Sequence, residues 1–163
     1  MKYIFETATP GDSDEILRLY RSAIGREGCT WSMEYPGPET LADDLKRERL
    51  FVMRSEDGEI IGAVSVDKDE AVDSLPCWNK ELFPGGELAR LVVREGYENR
   101  GLARELITCA MEKLAADGLK SAYFLVSKKH KRALASYEKL HFEKRGECTL
   151  FGNDWWCYQK ELG

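Results

Sequence analysis

The stretch Glu87–Leu114, ELARLVVREGYENRGLARELITCAMEKL, changes character twice along its length. An apolar run from Leu88 to Val93 gives way to the charged and turn-forming Arg94-Glu95-Gly96-Tyr97. After Glu98-Asn99-Arg100-Gly101, apolar residues recur at helical spacing: Leu102, Leu106, Ala110 and Leu114, with Ala103, Ile107 and Met111 beside them. This pattern predicts a strand, a tight loop and a helix with one apolar face. The first N–H groups of such a helix have no intrahelical partner, and with the helix dipole they suit phosphate oxygens. Gly101 lets a ligand approach the backbone closely, and Ala103 keeps the first turn slim. One glycine in a strand–helix turn is a weak signal taken alone.

Working outward, Lys2 to Thr7 predicts a first strand, and Pro10-Gly11-Asp12 breaks it and opens a helix carrying Ile16, Leu19, Tyr20, Ala23 and Ile24. Gly25 to Gly37 has no period and reads as a loop, and Pro38-Glu39-Thr40 opens a second helix with Leu41 and Leu45 inward. Leu50–Met53 and Ile60–Val66 read as strands joined by a turn at Asp57-Gly58. Asp67 to Gly86 shows little periodicity and reads as a long loop. Beyond the central helix, which Asp117-Gly118 ends, Ala122–Val126 is continuously apolar, as in a strand covered on both faces. A short helix near Arg132–Leu140 and strands at Phe142–Thr149 and Trp155–Glu161 complete the chain. Trp155 and Trp156 must point to opposite faces of their strand, which places one of them in the core.

The chain has 163 residues, 43% hydrophobic and 33% charged, which fits one soluble domain spanning 1–163. A net charge of −5 argues against nucleic acid as a partner. No run approaches a membrane span, and the opening MKYIFETATP lacks a signal peptide's apolar core. Five scattered cysteines with no CxxC pair, and only two histidines, predict reduced thiols in the cytoplasm and no metal site. No G-x-G-x-x-G follows a strand, which argues against a Rossmann dehydrogenase, and the absence of G-x-x-x-x-G-K-S/T excludes a P-loop NTPase.

Glu98-x-x-Gly101-x-Ala103 resembles the Gln/Arg-x-x-Gly-x-Gly/Ala signature of the GNAT superfamily of N-acetyltransferases. His130-Lys131-Arg132-Ala133-Leu134-Ala135-Ser136-Tyr137-Glu138-Lys139-Leu140-His141-Phe142 resembles that family's Asn-x-x-Ala-x-x-x-Tyr-Glu-Lys-Leu-Gly-Phe run. The motifs occur in the family's order, and the element order β-α-α-β-β-β-α-β-α-β-β is also similar. The resemblance implies an α/β (α+β) fold: a mixed, mostly antiparallel sheet with helices on both faces and splayed central strands. It implies acetyl-CoA as cosubstrate, with the pantetheine arm on the backbones of Leu91 and Val93. The pyrophosphate would lie against Glu98, Asn99, Arg100, Gly101, Leu102, Ala103 and Arg104, with His130 in the place of the family's Asn. A carboxylate at Glu98 would repel phosphates unless neutralised, and Arg94, Arg100 and Arg104 are the expected partners.

Moving an acetyl group from a thioester to an amine needs an amine without its extra proton, a stabilised oxyanion and a proton for the departing thiolate. By resemblance Tyr137 is the general acid; by packing alone it is a core aromatic at helical spacing with Ala133 and Leu140. Glu87, at the start of the central strand, where the resemblance implies a carboxylate that activates the amine, is the candidate base, against the plainer reading of an exposed Glu after a Gly-Gly turn. Glu34, Asp67 and Asp69 are weaker rivals. Trp31, Tyr35 and Trp78, interspersed with acidic residues, suit a cationic small-molecule amine, unless these aromatics merely pin the loops. A peptide N-terminus is the rival acceptor, and a non-catalytic acyl-CoA-binding domain is the rival class. The assembly expected is a monomer or homodimer, with no membrane partner.

Overall fold

The computed structural model describes residues 3–163, Arg132 through its backbone alone. Met1 and Lys2, the latter counted in the first strand from sequence, lie outside the described residues. Seven strands form one sheet in the order β1-β2-β3-β4-β5-β7-β6. They are β1 Ile4–Thr7, β2 Leu50–Arg54, β3 Ile60–Asp67, β4 Gly85–Val93, β5 Ser121–Ser127, β6 Glu143–Leu150 and β7 Asn153–Glu161. Every neighbouring pair is antiparallel except β4 and β5. Five helices accompany them: α1 Ser13–Ser22, α2 Pro38–Lys46, α3 Glu70–Asp73, α4 Leu102–Ala116 and α5 Lys131–Lys139.

The helices take opposite faces because their apolar stripes demand it. Helix α4 buries Leu102, Leu106, Ile107, Ala110, Met111 and Leu114 against Val64, Val66, Leu88 and Phe124. Helices α1 and α2 bury Ile16, Leu19, Tyr20 and Leu41 against Val52, Ile60, Ala63 and Val92 on the other face. Covered on both sides, β3 is buried along nearly its whole length. A third cluster joins Val72 and Trp78 to Tyr123 and Cys157.

Two expectations need correction. The Asp67–Gly86 stretch is not a bare loop: it holds α3, capped by the Asp69 carboxylate accepting from the Ala71 amide, and a 3-10 turn at Lys80–Leu82. Its apolar residues are too few and irregular for a periodic signal, and a four-residue helix offers only one turn. Neither Trp155 nor Trp156 is fully buried: both are half-buried, Trp156 packs only against the edge of the core, and the fully buried residues of β7 are Cys157, Tyr158 and Gln159. Trp156 lies instead under the ammonium groups of Lys128 and Lys144, at 4.3 and 4.1 Å.

Strand β4 meets β5 over only three pairs, Gly85–Ser121, Gly86–Ala122 and Glu87–Tyr123. A Cβ at Gly85 would lie 2.5 Å from the Ser121 hydroxyl and 2.9 Å from its carbonyl, so the close contact at the base of the fork needs glycine. Above Glu87 the strands part. Opposite Val64, β4 carries one extra residue: the β3 partners jump from Ser65–Ala89 to Ala63–Val92, and Arg90 takes a left-handed φ of 51°. Such a bulge bends its strand and strengthens the local twist. Here it swings the upper half of β4 away from β5 and opens a cleft.

Candidate active site

The cleft between the parted strands holds about 720 Å³. One wall is Leu88–Val93 of β4, the other Phe124–Ser127 of β5, with α4 and α5 at one side and the loop after α1 at the other. Because β4 has no β5 partner above Glu87, backbone groups of its upper half face the cleft. Of the residues expected at the cofactor, Leu91, Val93, Glu98, Asn99, Gly101, Leu102, Ala103, Arg104 and His130 all line it. Arg100 does not; its guanidinium lies over the Tyr97 ring at 5.2 Å, and it borders a second groove beside Tyr3 and Phe5.

The loop expected to cradle an anion leaves the first turn of α4 open. Gly101 caps α4 with φ 77°, a conformation that costs an L-residue about 1–2 kcal/mol. Its side of the loop carries no capping side chain, and among the described residues the amides of Leu102, Ala103 and Arg104 have no protein acceptor. Three free N–H groups at a helix N-terminus fit the phosphate oxygens of CoA.

Glu98 is neutralised, but not by Arg94, Arg100 or Arg104. Its Oε1 lies 3.1 Å from Nη1 of Arg26, in the loop after α1, and the same guanidinium nitrogen donates to the Val93 carbonyl at 2.8 Å. Arg94 is engaged elsewhere, with Glu15 at 3.2 Å and the Ile60 carbonyl at 2.8 Å. Arg26 stands 72 positions before Glu98 (98 − 26), so no local pattern disclosed the pair. Arg26 thereby occupies the Val93 carbonyl facing the cleft and ties the α1 loop to the cradle.

His130 is the N-cap of α5, its Nδ1 accepting from the Ala133 amide at 3.3 Å. That is what an Asn side chain does at an N-cap. Gly28 packs against this ring so tightly that a Cβ there would lie 2.6 Å from His130 Cβ. Of the basic cluster around it, Lys128 turns away to Glu147, at 3.1 Å. His141, in the place of the family's Gly, holds the left-handed φ of 63° that such a turn needs.

Tyr137 lines the cleft and meets Phe124 edge-on, ring centroids 4.5 Å apart. Burial pushes its phenol above the usual tyrosine range. Glu87 lies at the fork just beyond the cleft lining, 7% exposed, and its Oε1 has no hydrogen-bond partner. It is therefore not an exposed Glu after a turn. Burial, then the carboxylates of Asp67, Asp69 and Asp73, push its carboxyl up to about 9.

Trp31 lines the cleft and packs edge-on against Tyr20 at 5.4 Å. Tyr35 lies outside the lining, 48% exposed, its hydroxyl accepting from Arg90 at 3.0 Å. Trp78 is 3% exposed and its indole N–H already donates to the Val72 carbonyl at 2.8 Å. It packs on Tyr123, ring centroids 4.8 Å apart, as a core residue with no free polar atom for an acceptor. Among the rival bases, Glu34 is exposed, Asp69 caps α3 and Asp67 pairs with Arg90 at 3.1 Å.

Arg90 is the residue that motif reading passed over. The bulge turns its side chain into the interior, where Nε and Nη2 grip Asp44 at 2.9 and 2.8 Å. Asp44 also binds Arg47 at 2.7 Å and the Ser65 hydroxyl at 2.8 Å, which satisfies both carboxylate oxygens. The signal was present: an arginine inside an otherwise apolar strand, Leu88–Val93, must find a buried partner.

A protein-family model described as the acetyltransferase (GNAT) family matches residues 15–142. No curated protein matches the chain. Among solved structures, a GNAT-family acetyltransferase from Streptococcus pneumoniae is 21% identical with a TM-score of 0.76, covering 99% of this chain and 100% of its own. The ribosomal-protein-S18-alanine N-acetyltransferase of Escherichia coli is 15% identical with a TM-score of 0.75, over 99% and 95%. The PaiA N-acetyltransferase of Thermoplasma acidophilum, solved with coenzyme A, is 15% identical with a TM-score of 0.75, over 99% and 100%. These likenesses show the same fold over the full length of the chain.

Proposed function

Because the chain belongs to the acetyltransferase (GNAT) family, we propose that it moves the acetyl group of acetyl-CoA directly to the primary amine of a small molecule, with Glu87 as base and Tyr137 as general acid. The reaction forms a C–N bond, breaks the thioester C–S bond and moves one proton from the amine and one to the sulfur. The residues present suit that cosubstrate: three unpaired amides for the phosphates and, for the pantetheine arm, a β4 edge with no β5 partner above Glu87, its Val93 carbonyl already taken by Arg26.

One observation carries the reading: Tyr137 lines the cleft that opens above Glu87, and the surroundings of the two groups suit opposite roles. Tyr137, its phenol held protonated by burial, always has a proton to offer the departing sulfur. Glu87, pushed up to about 9, stands close to an alkylammonium of about 10.4, so taking a proton from the amine is nearly balanced. An ordinary glutamate would face a gap of about six units. Positioning on β4 supplies much of the remaining rate, since well-oriented reactants gain ~7–11 kcal/mol.

Calorimetric titration with acetyl-CoA, CoA and ADP tests the cradle, with micromolar binding and a clear phosphate contribution expected. A panel of small amines and a peptide with a free N-terminus, followed by thiol release, tests the chemistry. Turnover of the peptide alone would overturn the small-molecule assignment. Binding of acetyl-CoA with no turnover of any acceptor would leave only an acyl-CoA-binding domain.

A further inference from the structure

The face of the fork away from α4 carries acidic groups that the acetyl transfer itself does not use. Asp67, Glu87 and Tyr123 stand in one register row across β3, β4 and β5, since Asp67 pairs with Glu87 and Glu87 with Tyr123. Directly opposed residues in a sheet point to the same face, about 4.8 Å apart from strand to strand. Helix α3 lies over this row. The Tyr123 hydroxyl donates to Asp73 at 2.5 Å, which fixes the underside of α3 against the sheet. Asp69 and Glu70 open the same helix.

The arginines of the neighbourhood are already spent on other partners. Arg90 bridges Asp44 and Asp67, and Arg47 binds Asp43 and Asp44 and reaches Asp67 only at 3.6 Å. Among the described residues, Asp69, Glu70, Asp73 and Glu87 take part in no ion pair. Burial and then the neighbouring carboxylates push the Glu87 carboxyl up, and burial pushes Asp73 up against the lowering hydrogen bond from Tyr123, with nearby carboxylates adding to the rise. The buried Oε1 of Glu87, unpartnered within the row, independently marks a place made for a donor that the protein does not supply. Arg90 lines the cleft while its Nη1 holds Asp67, so the row starts at the cleft wall.

We propose that the acceptor carries two ammonium groups, a short linear diamine, with the reacting nitrogen at Glu87 and the distal ammonium on the Asp69, Glu70 and Asp73 carboxylates of α3. The proposal rests on the acetyltransferase reading of the same cleft and specifies its substrate class. A monoamine satisfies Glu87 and leaves the α3 carboxylates repelling one another. An amine that ends in a carboxylate adds to that repulsion. A diamine of a few carbons relieves both, because Asp73 of α3 is held by the hydroxyl of Tyr123, the strand neighbour of Glu87.

Three acceptors of equal length test it: 1,4-diaminobutane, n-butylamine and 4-aminobutanoate, with kcat/KM read from thiol release at saturating acetyl-CoA. The diamine is expected to exceed the monoamine by about tenfold or more, one charge pair's worth, and the carboxylate to be poorest. Asp69→Asn keeps the α3 cap and Glu70→Gln changes an exposed residue, so both variants fold. Each should lower the diamine-to-monoamine ratio severalfold, chiefly through KM. Monoamine turnover equal to or above that of the diamine, or a ratio unmoved in both variants, overturns the diamine while the acetyltransferase reading stands. Binding of acetyl-CoA with turnover of none of the three overturns the diamine, and the wider amine and peptide panel then decides the acetyltransferase reading.

Discussion

Glu87 titrates far from an ordinary glutamate, and the sign of the effect can be worked out in two directions. At pH 7 only about one molecule in a hundred carries the ionised base, two units below its pKa of about 9. The value of kcat/KM should therefore climb with pH up to about 9, and a pH–rate profile of Glu87→Gln should lose that limb. Stability runs the other way. Between about 4.5 and 9 the folded carboxyl keeps a proton that the unfolded chain has released, so stability falls as pH rises through that window. The slope is up to about 1.4 kcal/mol per pH unit. Thermal melts should show Glu87→Gln gaining on the wild type from pH 5 to pH 8.5; a constant gap would place the carboxyl in water. Tyr137→Phe keeps the ring against Phe124 and removes only the proton, so kcat should drop ~10²–10⁴-fold with acetyl-CoA affinity unchanged by calorimetry. Glu98→Gln should leave CoA affinity unchanged or raise it, because Arg26 still reaches the Val93 carbonyl and a negative charge leaves the cradle. A tenfold loss of affinity would give Glu98 a direct part in binding.

At the scale of an element, the start of α4 joins fold and function in one turn of chain. Its buried stripe anchors the helix while its first amides stay unpaired, so the dipole end is available without loss of packing. Gly101→Ala forces φ 77° on an L-residue and brings a Cβ to 3.4 Å from the Arg104 guanidinium. It should cost about 1–2 kcal/mol in denaturant melts and weaken acetyl-CoA by a comparable factor, since the loop must leave the left-handed region to relieve the strain. Strand β4 shows the complementary case. Its apolar reading was right from Leu88 to Val93, yet the strand starts at Gly85, because two glycines carry no hydrophobic signal while their slimness lets β5 approach. The bulge at Arg90 was not legible, since one extra residue on one strand is defined only by the partner it faces.

In the whole molecule, Asp44, Arg90 and Asp67 link α2, β4 and β3 beneath the fork, and Arg47 and Tyr35 close the network. Asp44 is 1% exposed, so Arg90→Met leaves a buried carboxylate with only Arg47 and the Ser65 hydroxyl. Removing one partner of such a pair costs about 3–5 kcal/mol. For a chain of this length that corresponds to a melting point lower by roughly 6–20 °C. Activity should fall further than stability explains, because Arg90 also holds the bulge that opens the cleft; kcat measured well below the melting point separates the two.

Much of this was legible along the chain. Periodicity located α1, α2, α4 and the strands, since one-sided burial writes a period of 3.6 or 2 into the residues themselves. The open first turn of α4 and the forked sheet were what the family resemblance of two short motifs implied, whereas the cap that His130 forms on α5 was not read from the sequence. What the tertiary structure alone decided is which charges meet. Arg26 and not Arg100 neutralises Glu98, Trp78 is core and not a substrate wall, and Glu87 is buried among Asp67, Asp69 and Asp73. Electrostatic partners are chosen by distance in space, and side chains long enough to cross between elements leave no trace of their destination in the order of the residues.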